Sequence, residues 1–380
     1  MKIAFITNIC THYVIRLFEL LAQKHDVDFY FTGGQEGYWE KQNKTWLGRF
    51  KGVYLRGFFL IPRFKITPAL FKFPFKKYDI FIKTIDDRFA LPFIFLLSKI
   101  LRKPFILWTG QWAHPQTWFH RLSFGMTKFI YRHSDAVIVY GEHVRRYLTR
   151  FGISDRKIFT APHSVDNAVF DKAVSAQEKS QWKVKLRLSE EKVVLYVGRL
   201  EECKGLSYLI EAIRLIKNDH VRLVCIGAGS QKAFLEGLCQ KSCCRCLFLE
   251  HIPNQELYRY YSISDVFVLP SIATKSFKEP WGLVINEAMN QGCPVVTTEA
   301  VGAAAGGLVE HGRNGFIVPE RDALALSRAI RTLLADDNLR QQFSQKAKEK
   351  IQGWTPLETA RGFMEAVEFV SSSSSKMSCA

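Results

Sequence analysis

The sequence predicts an α/β protein with two doubly wound, Rossmann-like domains, each built on a parallel sheet. Three observations support this fold class. Short apolar runs alternate with helical patterns along the chain, as in parallel sheets that helices cover on both faces. The length of 380 residues exceeds what one hydrophobic core usually holds. A polar stretch at 171–191, rich in Lys, Ser, Gln and Glu, separates two such series and is the predicted linker.

The first series predicts a domain over residues 1–170. An apolar run at 2–7 is typical of a buried strand, residues 13–23 have the period of an amphipathic helix, and 27–31 form the next strand. Further strands are predicted at 79–84, 105–109, 136–140 and 157–160.

The second series predicts a domain over residues 192–355. It begins with a strand at 193–198 and a helix at 206–216, and the alternation then continues. A last helix is predicted at 356–370. The tail at 371–380 is rich in serine and has no apolar pattern, so we expect it to be disordered.

The two predicted domains differ in charge. Residues 1–165 hold 26 Lys or Arg against 11 Asp or Glu, a formal +15, whereas 166–380 hold 27 against 25, a formal +2. Residues 49–77 contain eight basic residues, seven Phe and no acidic residue. This mixture is typical of a surface that meets anionic lipid headgroups. The candidate lipid contacts are Lys72, Lys76 and Lys77.

Two other interpretations of 49–77 stay open. The run also fits a solvated face over core Phe residues, or nucleic acid, although we do not expect nucleic acid as a partner. The best apolar run, at 89–97, is too short for a transmembrane helix, and residues 1–7 are too short and too quickly polar for a signal peptide. We therefore expect a cytoplasmic protein that binds the cell membrane only peripherally.

The cysteines predict reduced thiols, because nine is an odd number and no secretory signal is seen. Four of them cluster at Cys239, Cys243, Cys244 and Cys246. Structural zinc usually takes paired Cys-x2-Cys knuckles, and no second knuckle follows. We therefore expect helix-end and strand thiols here, and no metal ion.

The segment at 279–287 is the most informative about function. Glu279 and Glu287 stand eight residues apart around a Pro and a Gly, and a helix follows that should end at Gly292. A loop carboxylate and a helix carboxylate can face one small polar ligand, and amides at a helix start near Gly282 suit a phosphate. The pattern predicts a site for a sugar that carries phosphate. A helix-capping Glu279 and a solvated, helical Glu287 are the alternative.

Two cations lie in the loop after the first strand of the second domain. Arg199 and Lys204 follow this strand and precede a helical pattern, so they emerge at the carboxyl edge of the sheet. There they could neutralise a pyrophosphate without a metal ion; a pair of solvated loop cations is the alternative. A glycine-rich turn with Gly227 and Gly229 follows the next strand, without the full dinucleotide fingerprint.

Several motifs follow one another in a fixed order through the second half of the chain. They are Gly198-Arg199…Lys204-Gly205, Gly227-Ala-Gly229, Leu269-Pro-Ser271, Glu279…Glu287-Ala-Met, Gly292-Cys-Pro-Val-Val and Asn314-Gly-Phe-Ile-Val318. The series resembles the retaining nucleotide-sugar glycosyltransferases of family 4, whose GT-B fold has two Rossmann-like domains facing a central cleft. The segment at 161–166 is similar to their interdomain Pro-Asn-x-Val-Asp segment, with His163 where Asn is usual. The resemblance is close over 158–335 and holds in outline for the first domain.

The resemblance implies a role for each matching residue. Arg199 and Lys204 would hold the donor diphosphate and stabilise it as it departs, Glu287 would bind the ribose hydroxyls, and Glu279 would hydrogen-bond the donor sugar. Further donor contacts would come from Gly227, from His251 and Ile252 near the base, and from Trp281, Gly282 and Leu283 at the phosphate. The family usually transfers with retention and without a metal ion, so no cofactor is expected. The helix at 356–370 is expected to cross back to the first domain.

The first domain would supply the remaining groups. The family often places a His of this domain against the donor sugar, and His114 is the nearest candidate, with His120 close by and a structural His as the alternative. Asp86 and Asp87 follow a predicted strand and could bind acceptor hydroxyls or cap a helix. The loop that follows the first strand lacks the double-Gly turn that is frequent in the family. Its candidate acceptor contacts are Asn8, Thr11 and His12.

The resemblance and the charge distribution together predict a glycosyltransferase. It would move a sugar from a nucleotide-diphosphate sugar to a hydroxyl of a membrane-associated acceptor, either lipid-linked or a cell-surface polysaccharide. A nucleotide-sugar epimerase of the same fold and a non-catalytic binder of nucleotide sugars or polyanions are the alternatives.

Overall fold

The computed structural model describes residues 1–33, 48–61, 64–250 and 252–378, and the chain divides into two compact units. The N-terminal unit contains Met1–His114, Trp118–His163 and Pro356–Ala380, and the C-terminal unit contains Pro115–Thr117 and Ser164–Thr355. Each unit has its own parallel sheet, so the predicted fold class is confirmed.

The described part of the N-terminal unit has a seven-stranded sheet with the order β3-β2-β1-β6-β7-β8-β9, in which every pair is parallel. The strands are β1 Lys2–Thr7, β2 Asp26–Phe31, β3 Gly52–Tyr54, β4 Phe58–Ile61, β5 Phe64–Ile66, β6 Ile80–Thr84, β7 Phe105–Thr109, β8 Ala136–Val139 and β9 Ile158–Thr160. The helices are α1 Ile15–Lys24, α2 Ala90–Ile100, α3 Trp118–His133 and α4 Glu142–Thr149, and a 3-10 helix spans Pro68–Lys76. Outside the large sheet, β4 and β5 form an antiparallel pair.

The strands of this sheet are apolar on both faces because helices cover both sides. Successive side chains alternate between two hydrophobic cores. Phe5 and Phe29 pack in one core, with ring centroids 5.4 Å apart, and Phe81 and Phe105 belong to the other. Near-continuous apolar runs such as Phe-Ile-Leu-Trp-Thr in β7 follow from this double burial.

The described part of the C-terminal unit has a six-stranded parallel sheet with the order β12-β11-β10-β13-β14-β15. The strands are β10 Lys192–Val197, β11 Val221–Ile226, β12 Cys246–Leu249, β13 Val266–Leu269, β14 Val295–Thr298 and β15 Gly315–Val318. The helices are α5 Asn167–Phe170, α6 Ala176–Lys185, α7 Leu206–Ile216, α8 Lys232–Lys241, α9 Asn254–Ser262, α10 Val284–Asn290, α11 Gly302–Ala305, α12 Ala323–Ala335 and α13 Asp337–Ile351.

The last helix, α14 (Pro356–Ser378), belongs to the N-terminal unit, where it packs against α1, β8 and β9. Phe363 is fully buried, with its ring 5.7 Å from that of Phe5 and 5.1 Å from that of Trp108. A helix that follows the second unit in sequence thus completes a core of the first.

The predicted linker at 171–191 is wrong, because these residues lie inside the C-terminal unit. They include α6, whose first turn is closed by a capping box between Ser175 and Glu178. No residue of α6 is buried. The polar composition that suggested a linker is therefore that of a helix on the surface of the unit.

The prediction of a disordered tail from residue 371 is also wrong for 371–378, where α14 continues to Ser378. The hydroxyl of Ser371 donates to the carbonyl oxygen of Val367 one turn earlier, at 2.6 Å. Serine can satisfy its side chain within a helix in this way, so a serine run does not by itself end one. Residues 379 and 380 lie outside the described residues.

Candidate active site

The C-terminal sheet has a topological switch point between β10 and β13, where the order of the strands reverses. The two strands are neighbours in the sheet, but the chain continues from them to opposite sides, so the loops after them open a crevice at the carboxyl edge. These loops span residues 198–205 and 270–283. They contain most of the predicted donor residues, with Lys204 in the first loop and Glu279 in the second.

Lys204 and Glu279 form an ion pair across this crevice. The Lys204 ammonium donates to Glu279 Oε2, and the hydroxyl of Ser271 donates to the same oxygen at 3.0 Å. The side chains of Lys204 and Glu279 are 13% and 8% exposed, so solvent screens the pair weakly. The alternatives of a solvated Lys204 and a helix-capping Glu279 are therefore wrong. The cluster offers an ammonium for an anion and a carboxylate for hydroxyl donors.

Two glycines let the loops of the C-terminal unit approach one another. Gly205 has a φ of 67°, and a Cβ there would lie 2.1 Å from the carbonyl oxygen of Pro270. Gly227 has a φ of 142°, and a Cβ there would lie 2.0 Å from the carbonyl oxygen of Gly198. A side chain at either position would force the backbone apart, so glycine at 205 and 227 allows the loop that contains Arg199 and Lys204 to lie against its two neighbouring loops.

Arg199 differs from Lys204 in being exposed. Within the described residues its guanidinium forms no ion pair, while its carbonyl oxygen accepts a hydrogen bond of 2.7 Å from the Tyr196 hydroxyl. Tyr196 is fully buried, so this bond fixes the Arg199 backbone against the strand. An exposed guanidinium of this kind can form two hydrogen bonds to one anion.

Glu287 lies on α10 and is buried, with 5% of its surface exposed. Its Oε2 accepts a hydrogen bond of 2.7 Å from the Tyr261 hydroxyl. Burial raises the pKa of Glu287 from 4.5 to about 7, and the Tyr261 bond opposes that shift in part. The alternative of a solvated, helical Glu287 is wrong.

A buried tryptophan, Trp281, anchors the turn before α10 through a hydrogen bond to that helix. Trp281 is 2% exposed, and its Nε1 donates to Asn286 Oδ1 at 2.9 Å. Gly282 has a φ of 93°, and a Cβ there would lie 2.6 Å from a methyl of Leu269. The helix itself begins at Val284, two residues after the predicted start, and ends at Asn290. The roles of Trp281, Gly282 and Leu283 at a phosphate stay predictions.

The predicted base contacts follow β12. Ile252 is half-buried after this strand, and its proposed role stays a prediction. His251 lies outside the described residues.

The N-terminal sheet has its own topological switch point, between β1 and β6. Asn8 and Asp86 lie in the loops after these two strands. Asp86 Oδ1 pairs with the Lys83 ammonium and accepts from the Thr84 hydroxyl at 2.8 Å. Asp86 Oδ2 accepts from the Asn8 amide at 3.1 Å. Since the Lys83 side chain is fully buried, Asp86 compensates a buried charge and joins two loops.

Asp87 caps a helix, which confirms the alternative role considered for it. Its Oδ1 accepts from the amides of Phe89 and Ala90 at 2.9 and 3.0 Å, where α2 begins. Asp87 has a φ of 72°, a conformation that Asp tolerates better than most residues. An additional acceptor role stays a prediction.

His114 lies on the wall of a cavity of about 320 Å³ in the N-terminal unit. Its Nε2 is 2.7 Å from the carbonyl oxygen of His120, so Nε2 is the donor there. Its Nδ1 is buried and has no hydrogen-bond partner among the described residues. Asp86 and Asp87 line the same cavity. The structure thus brings the candidate catalytic His together with both candidate acceptor carboxylates.

The other N-terminal candidates lie near β1. Thr11 is buried, with 4% exposed, and the His12 ring stands edge-on to Tyr13 at 5.3 Å. His163, at the Asn position of the family segment, stacks on Tyr140 with centroids 4.1 Å apart. Burial lowers the pKa of His163 to about 3, so the ring is neutral at physiological pH.

Two structurally important residues were missed by the sequence analysis. Lys83 is the one charged residue of β6, and an acidic residue three positions later is the signal that could have identified its partner. Tyr261 lies on the buried side of α9, and nothing in the local sequence indicates that its hydroxyl faces Glu287.

Two family models match the chain over most of its length. Glycosyl transferases group 1 matches residues 178–350, and Glycosyltransferase Family 4 matches residues 11–169. An uncharacterized glycosyltransferase of Methanocaldococcus jannaschii is 30% identical over 205 residues, which are 53% of this chain and 51% of that protein. D-inositol 3-phosphate glycosyltransferase of Xylanimonas cellulosilytica is 30% identical over 236 residues, with coverage of 58% and 54%. The chain thus spans about half the length of these two relatives.

Solved structures resemble the chain over nearly all of both molecules. Anabaena HepE in complex with UDP has a TM-score of 0.81 at 19% identity and covers 97% of this chain and 100% of its own; a UDP-glucose complex of HepE is also similar, with a TM-score of 0.77. The two parallel sheets with charged loops at their carboxyl edges define a protein of the GT-B fold. The chain belongs to the group 1 glycosyltransferases, with an N-terminal part of the Family 4 type.

Proposed function

We propose that the chain transfers a sugar from a nucleoside diphosphate sugar to an acceptor hydroxyl, with retention of configuration and without a metal cofactor. The proposal rests on the ion pair of Lys204 with Glu279 and Ser271 at the edge of the C-terminal sheet. A diphosphate would compete for the ammonium, and a sugar hydroxyl for the carboxylate. One ligand that contains both groups would satisfy both halves of the opened pair.

The donor would bind by exchanging partners within this cluster. Its diphosphate replaces Glu279 beside Lys204 and also meets Arg199, whose exposed guanidinium can bind two phosphate oxygens at once. Glu279 then accepts a hydroxyl of the donor sugar. Glu287 accepts from the ribose hydroxyls, and the backbone amides at 281–283 face the phosphate.

The transfer step breaks the bond between the anomeric carbon and the diphosphate oxygen, and the electron pair of that bond leaves with the diphosphate. The acceptor oxygen forms its new bond to the anomeric carbon on the same face. The acceptor proton passes to the departing diphosphate. Arg199 and Lys204 stabilise the charge that develops on the diphosphate, the task of a divalent cation in metal-dependent transferases.

Contacts to the sugar acceptor are proposed for three residues of the N-terminal unit, His114, Asp86 and Asp87. Their shared cavity and the unpartnered Nδ1 of His114, which can accept a hydroxyl proton, support this assignment. Replacing His114 by Phe preserves an aromatic side chain and removes Nδ1, the hydrogen-bond acceptor. A transfer rate equal to that of the unchanged protein would exclude His114 from the reaction.

The nucleotide is tested by thermal unfolding with UDP, GDP, ADP and CMP and their common sugar conjugates, with a chelator present. The HepE complexes with UDP and UDP-glucose favour uridine. A ligand at 100 times its dissociation constant stabilises the fold by about 2.7 kcal/mol, a clear rise in Tm. Absence of a shift with every nucleotide, with and without Mg²⁺, would contradict the donor site.

Catalysis is tested with the stabilising sugar conjugate and a glycan or lipid-linked acceptor mixture. Release of nucleotide that depends on acceptor supports a transferase. Epimerisation of the donor in the absence of acceptor would instead identify an epimerase. Tight binding of the donor with no turnover in the presence of any acceptor would identify a binding protein.

We further propose that the acceptor is presented at an anionic membrane surface. The exposed apolar side chains Phe71 and Phe75 lie on the 3-10 helix, Leu96 and Ile100 on α2, and Trp118 and Leu122 on α3; they are 54–85% exposed. The three helices are neighbours, because the Phe71 ring packs on Phe93 of α2 at 5.0 Å and Phe95 of α2 packs on Phe129 of α3 at 6.0 Å. We propose that the exposed side chains of these three helices share one face of the N-terminal unit, here called the aromatic face.

Basic residues accompany the aromatic face. Lys72, Lys76 and Lys77 are all exposed beside Phe75, and the Lys76 ammonium also donates to the Tyr30 hydroxyl at 2.8 Å. Phe73, in the same run, is buried in the core. The run at 49–77 thus combines core Phe residues with an exposed basic and aromatic surface. No described helix has the length and apolarity of a membrane span. The binding mode that we propose is contact through the aromatic face.

Membrane binding is tested by sedimentation with vesicles that contain phosphatidylserine, at low salt. Replacing Lys72 and Lys77 by Gln should weaken binding about 30-fold, since each charge near an anionic surface contributes about 1 kcal/mol. The matched control replaces Lys217 and Lys241, two exposed lysines of the C-terminal unit, by Gln. Equal binding by both double variants would refute the proposed face.

A further inference from the structure

Three thiols converge at the end of α8, away from the residues proposed to bind the donor. The Sγ atoms of Cys239, Cys244 and Cys246 all lie within 4.8 Å of one another, and those of Cys244 and Cys246 are 3.4 Å apart. Cys239 is buried in the last turn of the helix, and Cys246 is the first residue of β12. The sequence spacing suggested separate helix-end and strand thiols, so this convergence is a property of the fold.

The chain reversal that brings the thiols together is a Schellman turn. The Cys244 amide donates to the Cys239 carbonyl oxygen at 3.0 Å, and the Cys243 amide to that of Gln240 at 3.2 Å. Cys243 has a φ of 50°, the left-handed conformation that this turn requires at its C′ position. The turn places Cys244 beside Cys239 and directs the exposed Cys243 away from the cluster.

We propose that Cys239, Cys244 and Cys246 form a binding site for one thiophilic d¹⁰ cation, such as Zn²⁺. Zinc–sulfur bonds of about 2.3 Å in a tetrahedron place the sulfur atoms about 3.8 Å apart, within the separations found here. Water or another external ligand takes the fourth position. The expectation of no metal ion, which followed from the missing second knuckle, does not apply to a three-thiol site.

The cation binds the thiolate form of each cysteine. Each neutral thiol that binds the cation releases one proton to the buffer, so binding becomes tighter as pH rises.

The site would join a helix end to the edge of the sheet. In the described part of the chain β12 is a terminal strand of the C-terminal sheet, paired only with β11. A cation held by α8, the turn and β12 would fix this strand in place. The role is structural and independent of the metal-free transfer proposed above.

Cobalt provides the test, because Co²⁺ bound by thiolates has a charge-transfer absorption in the near ultraviolet. The full-length protein is stripped of metal with a chelator, kept reduced with a phosphine and titrated with Co²⁺, then with Zn²⁺. We expect one Co²⁺ per chain, displaced by one Zn²⁺. The Cys244→Ser and Cys246→Ser variants should lose the absorption, and Cys243→Gly, which removes a neighbouring thiol and suits the left-handed turn, should retain it.

A measurement on the unchanged chain avoids dependence on variants that fold poorly. With one equivalent of Zn²⁺, Cys239, Cys244 and Cys246 should resist alkylation by N-ethylmaleimide, while Cys243 reacts as it does without metal. Absence of the cobalt absorption, its survival in both Ser variants, or equal alkylation with and without Zn²⁺ would each overturn the proposal. A Cys244–Cys246 disulfide that persists under reductant would also overturn it.

Discussion

The carboxyl edges of the two sheets use an ion pair in different ways. In the C-terminal unit, Lys204 and Glu279 come from two loops and meet across a crevice. In the N-terminal unit, Lys83 and Asp86 are three residues apart, and Asp86 also holds the Asn8 amide. In the proposed donor complex the diphosphate and the sugar replace both partners of the first pair, whereas Asp86 is the carboxylate that compensates the fully buried Lys83. One pair is suited to binding and the other to stability.

The largest effect is expected for Glu279→Gln. The variant cannot provide a carboxylate to the donor sugar, so the transfer rate should fall about 100- to 1,000-fold. Because Lys204 also loses its internal partner, UDP should bind at least as tightly as before. The measurements are kcat from nucleotide release and the dissociation constant for UDP. Glu202→Gln, which changes an exposed carboxylate of the same region, is the matched control, and similar losses in both variants would contradict the assignment.

Asp86→Ala tests the other pair and should act on stability. It leaves the buried Lys83 ammonium without its carboxylate, which costs about 3 kcal/mol of unfolding free energy. Urea unfolding measures this loss. The double variant Lys83→Met/Asp86→Ala removes both charges and should recover most of it. A single variant as stable as the unchanged protein would contradict the role of Asp86 in compensating the buried Lys83 charge.

Glu287 should make stability depend on pH. Its pKa is about 7 in the folded protein against an ordinary 4.5, so the folded state holds a proton that the unfolded state has lost. This contribution is fully present below about 4.5 and is lost as pH rises towards about 7, with a slope of up to about 1.4 kcal/mol per pH unit. Glu287→Gln should remove it. Parallel unfolding curves for both proteins from pH 4.5 to 7 would contradict the raised pKa.

The affinity for UDP should also depend on pH through Glu287, but it should rise with pH whereas stability falls. Ribose hydroxyls donate to the carboxylate form, so UDP should bind up to tenfold more weakly for each pH unit below about 7. The titration of UDP itself affects both proteins equally. The difference in slope between the unchanged chain and Glu287→Gln therefore reports Glu287.

The smallest effect is expected at the α2 cap. Asp87→Ala removes the acceptor for the Phe89 and Ala90 amides and should cost about 1 kcal/mol, whereas Asp87→Asn should cost only a few tenths. Thermal unfolding distinguishes the two. If both variants keep full stability but lose transfer, then acceptor binding and not capping is the main role of Asp87.

The sequence predicted the parts of the fold that depend on local pattern. Alternating apolar runs gave the two parallel sheets, and the spacing of Arg199, Lys204, Glu279 and Glu287 located the loops and the helix of the candidate site. Pairings between distant residues were not predictable. Nothing local indicates that Lys204 meets Glu279, because their contact depends on β10 and β13 becoming neighbours.

Composition gave wrong predictions where the same polar residues occur both in linkers or tails and on helix surfaces. The polar residues at 171–191 cover a surface helix, and the serines after 370 continue α14. The cysteine cluster shows the reverse, since residues without a recognised spacing were brought together by a helix-terminating turn.

The position of α14 determines when the core of the N-terminal unit can be completed during synthesis. The C-terminal unit ends at Thr355, so all of its strands leave the ribosome before α14 does. The N-terminal unit is translated first, but its core lacks Phe363 until the last helix emerges. Domains generally fold as units and in the order of translation. During synthesis the apolar surface around Phe5 and Trp108 therefore stays uncovered by Phe363 until α14 is made, whereas every residue of the C-terminal unit is already present by then.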